Sequence, residues 1–178
     1  QSIIEGVIKN LGAAGVAVGE VEVDGYQGID LIKAHKTVMA YEASRARAVE
    51  FERHSADLSE QFCELMQEGR LINYEQYQEA LAQRDSANQR LMETWRNYDL
   101  LLTPSALGEA PQGLSSTGDP IFSRAWNLLG GPAITLPAGV GQKKLPLGIQ
   151  LVGRVSSDDD LIAKALWVDH NVLPSTTG

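Results

Sequence analysis

Asn127-Leu128-Leu129-Gly130-Gly131-Pro132-Ala133-Ile134-Thr135-Leu136-Pro137-Ala138-Gly139, followed by Leu145-Pro146-Leu147-Gly148-Ile149-Gln150-Leu151-Val152-Gly153, decides how this chain folds. Its opening residues read as the close of a short helix, because a glycine pair followed by proline cannot continue one. Ala133 to Pro137 and Leu147 to Val152 are two strands, joined as a hairpin through the loop Gly141 to Lys144. Working back, Asp119-Pro120 marks a helix start, with Asp as N-cap and Pro at the first helical position. Residues 105–118 form a loop. Asp99-Leu100-Leu101-Leu102-Thr103-Pro104 is a continuous apolar run ending on proline, the pattern of a buried strand. Working forward, Ser157 caps a last helix from Asp158 to about His170, with three Asp in its first turn.

Residues 1–98 have a different texture. Ser2 and Glu5 have capping-box spacing, Ile4, Val7, Ile8 and Leu11 follow at helical intervals, and Gly12 and Gly15 stop that helix. Val16 to Val23 reads as a short strand, with Asp24-Gly25 as a turn. Ile29 to about Glu68 is helical in composition, as one long helix or two broken ones. Ile32, Met39, Ala43 and Ala46 mark one stripe, Phe62, Leu65 and Met66 another, and Gly69 is the close. Asn73-Tyr74-Glu75-Gln76 is a second capping box, opening a helix to about Asn97 whose middle, Gln83 to Arg90, is strongly polar. The order argues for an α/β fold with a mixed sheet flanked by helices: a helix-strand and helical arm over 1–98, then a sheet segment over 99–170.

The 178 residues carry a formal net charge of −8, a sign that repels phosphate backbones, with no dense cluster of Lys and Arg. No nucleic-acid partner is expected. No apolar run approaches the roughly 18–20 residues of a membrane span. The single cysteine, Cys63, excludes an internal disulfide and a Cys-based zinc site, and fits a reducing, cytoplasmic setting. The chain opens on Gln1 and a helix cap, which reads as a piece of a larger polypeptide.

Self-contained catalytic sets are missing: no His-Glu-x-x-His, no phosphate loop, no Gly-x-Ser-x-Gly elbow. His35, His54 and His170 read as partly solvated helix residues, Ser115-Ser116-Thr117 as a polar turn, and Asp158-Asp159-Asp160 as a helix start rather than a metal site. No cofactor or metal is expected.

Tyr98 to Pro104, Thr117-Gly118-Asp119-Pro120-Ile121-Phe122, Asn127 to Gly139 and Leu145 to Gly153 occur in that order, and together they resemble the C-terminal region of amidase-signature enzymes. The resemblance extends over nearly the whole chain and implies an α/β/α fold. It also implies hydrolysis of carboxylic amides through a Ser–cis-Ser–Lys triad, with an oxyanion hole of backbone N–H groups. The family's lysine and Gly-Ser-rich signature lie toward the enzyme's N-terminus and neither is present here, so no catalytic residue is assigned. By the same resemblance the segment 117–127 walls the acyl pocket, making Thr117, Asp119, Phe122, Trp126 and Asn127 the candidate substrate contacts. Each also has a structural reading: Asp119 as N-cap, Asn127 as a structural hydrogen-bonder, Phe122 and Trp126 as core anchors. The expected partners are a small-molecule amide and the missing N-terminal part. Without that part an uncovered sheet edge and face imply self-association, a homo-oligomer.

Two alternatives stand beside this reading. The A subunit of a glutamyl-tRNA(Gln) amidotransferase needs an acidic residue before the Asn-Leu-x-Gly-x-Pro motif, where Pro120 falls, with Asp119 one place off; a stand-alone amidase fits better. The other is a non-catalytic binding or scaffold relic of the fold.

Overall fold

The hairpin forms where the turn residues place it. In the computed structural model, which describes residues 2–22 and 30–174, β2 (Ala133–Val140) and β3 (Pro146–Val152) pair antiparallel across a turn. Gly141 N–H donates to Leu145 O at 2.9 Å and Lys144 N–H to Gly141 O at 3.1 Å. β1 (Leu101–Pro104) pairs on the other edge of β3, giving the order β1-β3-β2. All three strands are antiparallel; the parallel pairing of a mixed sheet does not occur among the described residues. Ile149, Gln150, Leu151 and Val152 are all buried, as a strand with neighbours on both edges requires.

One sheet face carries the main core. Ile149 and Leu151 pack with Val7 and Leu11 of α1 (Ser2–Ala13) and with Leu161, Ala165 and Val168 of α7 (Asp158–Asn171), and Ile134 and Leu136 of β2 adjoin them. Each such aliphatic side chain contributes about 1.5–3 kcal/mol of burial. α1 ends in a Schellman motif: Gly15 sits at φ 83°, with Gly15 N–H on Gly12 O and Val16 N–H on Leu11 O. Gly12 is therefore inside the helix and Gly15 is the stop. The Ser2 side chain of the expected capping box, Val23 and the Asp24-Gly25 turn fall outside what is described, while Glu5 lies in the first turn of α1. Val16 to Glu22 is not strand. Its alternating pattern has no described segment to supply a ladder, and Val16 and Val18 stay exposed.

The chain divides into two compact units, Gln1–Glu22 with Leu91–Gly178 and Val23–Arg90, so the first helix belongs with the sheet. In the second unit the helical run is broken twice, into α2 (Leu31–Ala46), α3 (Ala48–His54) with a 3-10 turn, and α4 (Glu60–Leu71). The buried face of α2 is Leu31, Ala34, Ala40 and Ser44, not the Ile32/Met39/Ala43/Ala46 stripe. Small residues face inward because α4 approaches closely. Gly69 does not end α4; it is buried within it, where a Cβ would land on the carbonyl of Ala40. Tyr77 stacks on Tyr41 at 4.1 Å and donates from its hydroxyl to Glu42 at 2.8 Å, while Arg45 lies over the Tyr41 ring.

α5 (Tyr74–Asn97) opens on the expected capping box: Gln76 N–H donates to Asn73 Oδ1 at 2.9 Å and Asn73 N–H to Gln76 Oε1 at 3.0 Å. Its polar middle is not wholly wet, since Ala87 is fully buried and continues the row Ala80, Leu91, Trp95. α6 (Ile121–Leu129) ends on Gly130 at φ 76°. It begins one residue later than the sequence suggests: Pro120, not Asp119, holds the cap position, with no side-chain capping bond. Ser157 likewise makes no side-chain bond to α7; its hydroxyl donates to Arg154 O at 2.7 Å, and Asp158, Asp159 and Asp160 occupy the first turn.

Gly69→Ala is expected to destabilise the helical unit by about 2 kcal/mol or more, through overpacking against backbone that cannot yield. Gly6→Ala, in α1 with open space around the position, is expected to be neutral or to stabilise by about 0.5–1 kcal/mol. Urea denaturation of the two variants checks both signs.

Candidate functional site

Pairing with β3 brings three loop ends to one end of the sheet: the exit of β1 at Pro104, the exit of β2 at Val140 and the start of β3 at Pro146. An open groove of about 1380 Å³ lies there, within the sheet-bearing unit. Its walls come from α1, residues 18–21, the loop 106–109, Phe122 and the hairpin turn. The lining is largely aliphatic. Among the described residues its charged side chains are Glu5, Glu20 and Glu109, and it includes no Ser, Cys, His, Lys or Arg.

Glu109 fixes the mouth of this groove. Its Oε1 accepts from the backbone N–H of Lys143 at 2.8 Å and of Leu145 at 3.0 Å, so the 105–118 loop is clipped to the β2–β3 turn. Gly141 leaves room for it, since a Cβ there would overlap the Glu109 side chain. Ser105 adds a second tie, donating from its hydroxyl to Gly148 O at 3.0 Å.

The five candidate contacts do not converge. Phe122 lines the groove. Trp126 is 6% exposed and sits in the core. Thr117 and Asn127 are exposed, and Asp119 is half exposed, 3.7 Å from Arg124 Nε. The serine cluster is a polar turn, with Ser116 Oγ accepting from Gly118 N–H at 3.1 Å. Two residues that sequence reading passed over matter here, Glu109 and Gln150. Gln150 carried a usable signal, as the single polar residue inside an apolar strand, where a buried amide demands partners.

Acyl transfer needs a nucleophile beside a base; among the described residues the groove lining offers carboxylates, but no serine hydroxyl, thiol or amine for them to activate. Lys164, the lysine with the firmest carboxylate partners, is unsuited to act as a base. Asp160 accepts from its Nζ at 2.7 Å, which raises its pKa above the ordinary lysine value; partial burial opposes this, and Asp99 at 3.4 Å adds to it. The ammonium therefore stays charged at neutral pH. Among the described residues no three His, Cys, Asp or Glu side chains converge as a metal site, and no helix is long and apolar enough to cross a membrane. Among the described residues the groove offers a concave aliphatic surface with carboxylates at its edge rather than a nucleophile–base pair.

Residues 1–162 match the family model described as Amidase. The A subunit of the mitochondrial glutamyl-tRNA(Gln) amidotransferase of Mus musculus is 37% identical over 83 residues, 42% of this chain and 16% of that protein. The Homo sapiens counterpart is 36% identical over 83 residues, with the same shares. Among solved structures, an amidase superposes with a TM-score of 0.80 at 24% identity over 96% of this chain and 41% of its own. A substrate complex of 6-aminohexanoate cyclic dimer hydrolase gives 0.78 at 18% identity, over 97% and 41%. These likenesses show the fold, and the chain spans about two fifths of the length of those structures.

A lysine whose folded pKa is raised contributes stability below its unfolded pKa of about 10.4, and that contribution is lost as pH rises through the folded value. As pH rises above about 10.4 the native chain is therefore expected to lose more stability than Lys164→Met, whose loss lacks this component. Denaturant midpoints across that range measure the difference.

Proposed function

This chain belongs to the amidase family, and on that premise we propose that it is the C-terminal portion of an amide hydrolase whose Ser–cis-Ser–Lys triad lies N-terminal to Gln1. The observation that carries the reading is the pairing of a family match over 1–162 with coverage of about 41% of a solved amidase. A groove whose described lining holds carboxylates but no serine, cysteine or lysine nucleophile fits a portion that shapes the pocket and leaves the chemistry to the rest. Within it, the segment 117–127 walls the acyl pocket, and Phe122 is the best supported of the five candidate contacts because it faces the groove. Thr117, Asp119, Trp126 and Asn127 remain proposed contacts, to be completed by the partner portion. The substrate is a small carboxylic amide, the chief partner is the N-terminal portion of the same protein, and exposed Val16, Val18 and Trp167 favour either that partner or self-association. The free thiol of Cys63 is compatible with a cytoplasmic setting.

A second reading, an amidotransferase A subunit, rests on the 37% identity over 83 residues with the murine protein. It implies partner chains and dependence on glutamine. A non-catalytic relic of the fold is the third, separated by the sequence encoded upstream.

The purified 178-residue chain is expected to hydrolyse no amide. Turnover by it that a serine-directed phosphonate abolishes would overturn the assignment of the chemistry to the other portion. The full-length gene product is expected to show such turnover, without requiring glutamine.

A further inference from the structure

β3 alternates Ile149 and Leu151 into the core with Gln150 and Val152 on the opposite face. Gln150 is 5% exposed and one of two buried polar residues among those described. The other, Ser44, is satisfied within its own helix by Tyr41 O at 2.9 Å. The bonds of Gln150 reach across the fold. Its Nε2 donates to the carbonyl of Phe122 at 3.0 Å and lies 3.4 Å from Thr103 Oγ1. In register, Thr103 on β1 and Thr135 on β2 flank it, so one amide ties the sheet to the first turn of α6. An apolar side chain would fill the same place without a desolvated amide to satisfy. The amide therefore does something packing does not require: it holds a carbonyl that a sheet residue has no other reason to meet.

That carbonyl belongs to Phe122, the candidate contact that lines the groove. We infer that Gln150 is a positioning residue for substrate binding, setting the start of α6, and Phe122 with it, against the groove. The inference rests on the proposed amide hydrolase reading. Its effect falls on binding rather than on the chemical step, because the reacting groups of that reading lie outside this chain.

The test uses the full-length gene product. Gln150→Met keeps the volume and removes both donors; KM for an amide substrate is expected to rise roughly five- to tenfold, the scale of one buried hydrogen bond, with kcat nearly unchanged. Gln150→Glu cannot donate while ionised but regains a donor when protonated, so its KM defect is expected to shrink as pH falls, whereas that of Gln150→Met does not. A wild-type KM in Gln150→Met, a fall in kcat alone, or parallel pH profiles for the two variants would overturn the inference. Absence of turnover in the unmodified product would instead overturn the functional reading. In that event amide exchange at Ser123 and Arg124, whose N–H groups bond Pro120 O in the first turn of α6, decides the positioning claim. Faster exchange in Gln150→Met supports it and unchanged exchange contradicts it.

Discussion

β3 must find backbone partners on both edges, because Ile149 to Val152 are withdrawn from water and unpaired peptide groups there would each cost free energy. Satisfying that one strand draws Leu101–Pro104 to one side and Ala133–Val140 to the other, two segments well separated along the chain. The rest follows from the pairing. The side chains of β3 are divided between a core face under α1 and α7 and a second face that reaches α6 through Gln150. The exits of β1 and β2 and the start of β3 fall at one end, which is where Glu109 clips two loops together and the groove opens.

Much of this was legible in the residues. The hairpin, its Gly141–Lys144 turn, the Gly130 stop and the Asn73–Gln76 box each rest on local stereochemistry, which acts without knowledge of the partner surface. What failed was what depends on packing. Gly69 reads as a helix stop, but its missing Cβ serves a helix crossing against Ala40. The inward face of α2 is built of Ala34, Ala40 and Ser44, small residues that a search for large apolar side chains passes over. Val16 to Glu22 has strand composition and no strand, because pairing belongs to two segments and the sequence displays one.

The site was legible only in outline. The segment 117–127 drew attention through family resemblance, yet of its five candidates Phe122 alone reaches the groove. Glu109 sits in a loop whose composition says only that it turns, and its role exists solely because the hairpin turn arrives beside it. Gln150 was the exception: a lone amide in an apolar strand announces an obligatory partner, although not which one. Among the described residues the groove then supplies shape, an aliphatic lining and three carboxylates, without a serine, cysteine or lysine beside them. Under the proposed function, labour is divided within one protein, with pocket-shaping residues in this chain and reacting residues elsewhere.

The most direct measurement of that division is the intact mass of the native gene product together with the sequence encoded immediately upstream of Gln1. The proposed division requires a product substantially longer than these 178 residues, with a lysine and a Gly-Ser-rich segment in the added part. A native product that begins at or near Gln1, or an upstream extension lacking both features, would contradict it and leave a binding or scaffold role for the fold.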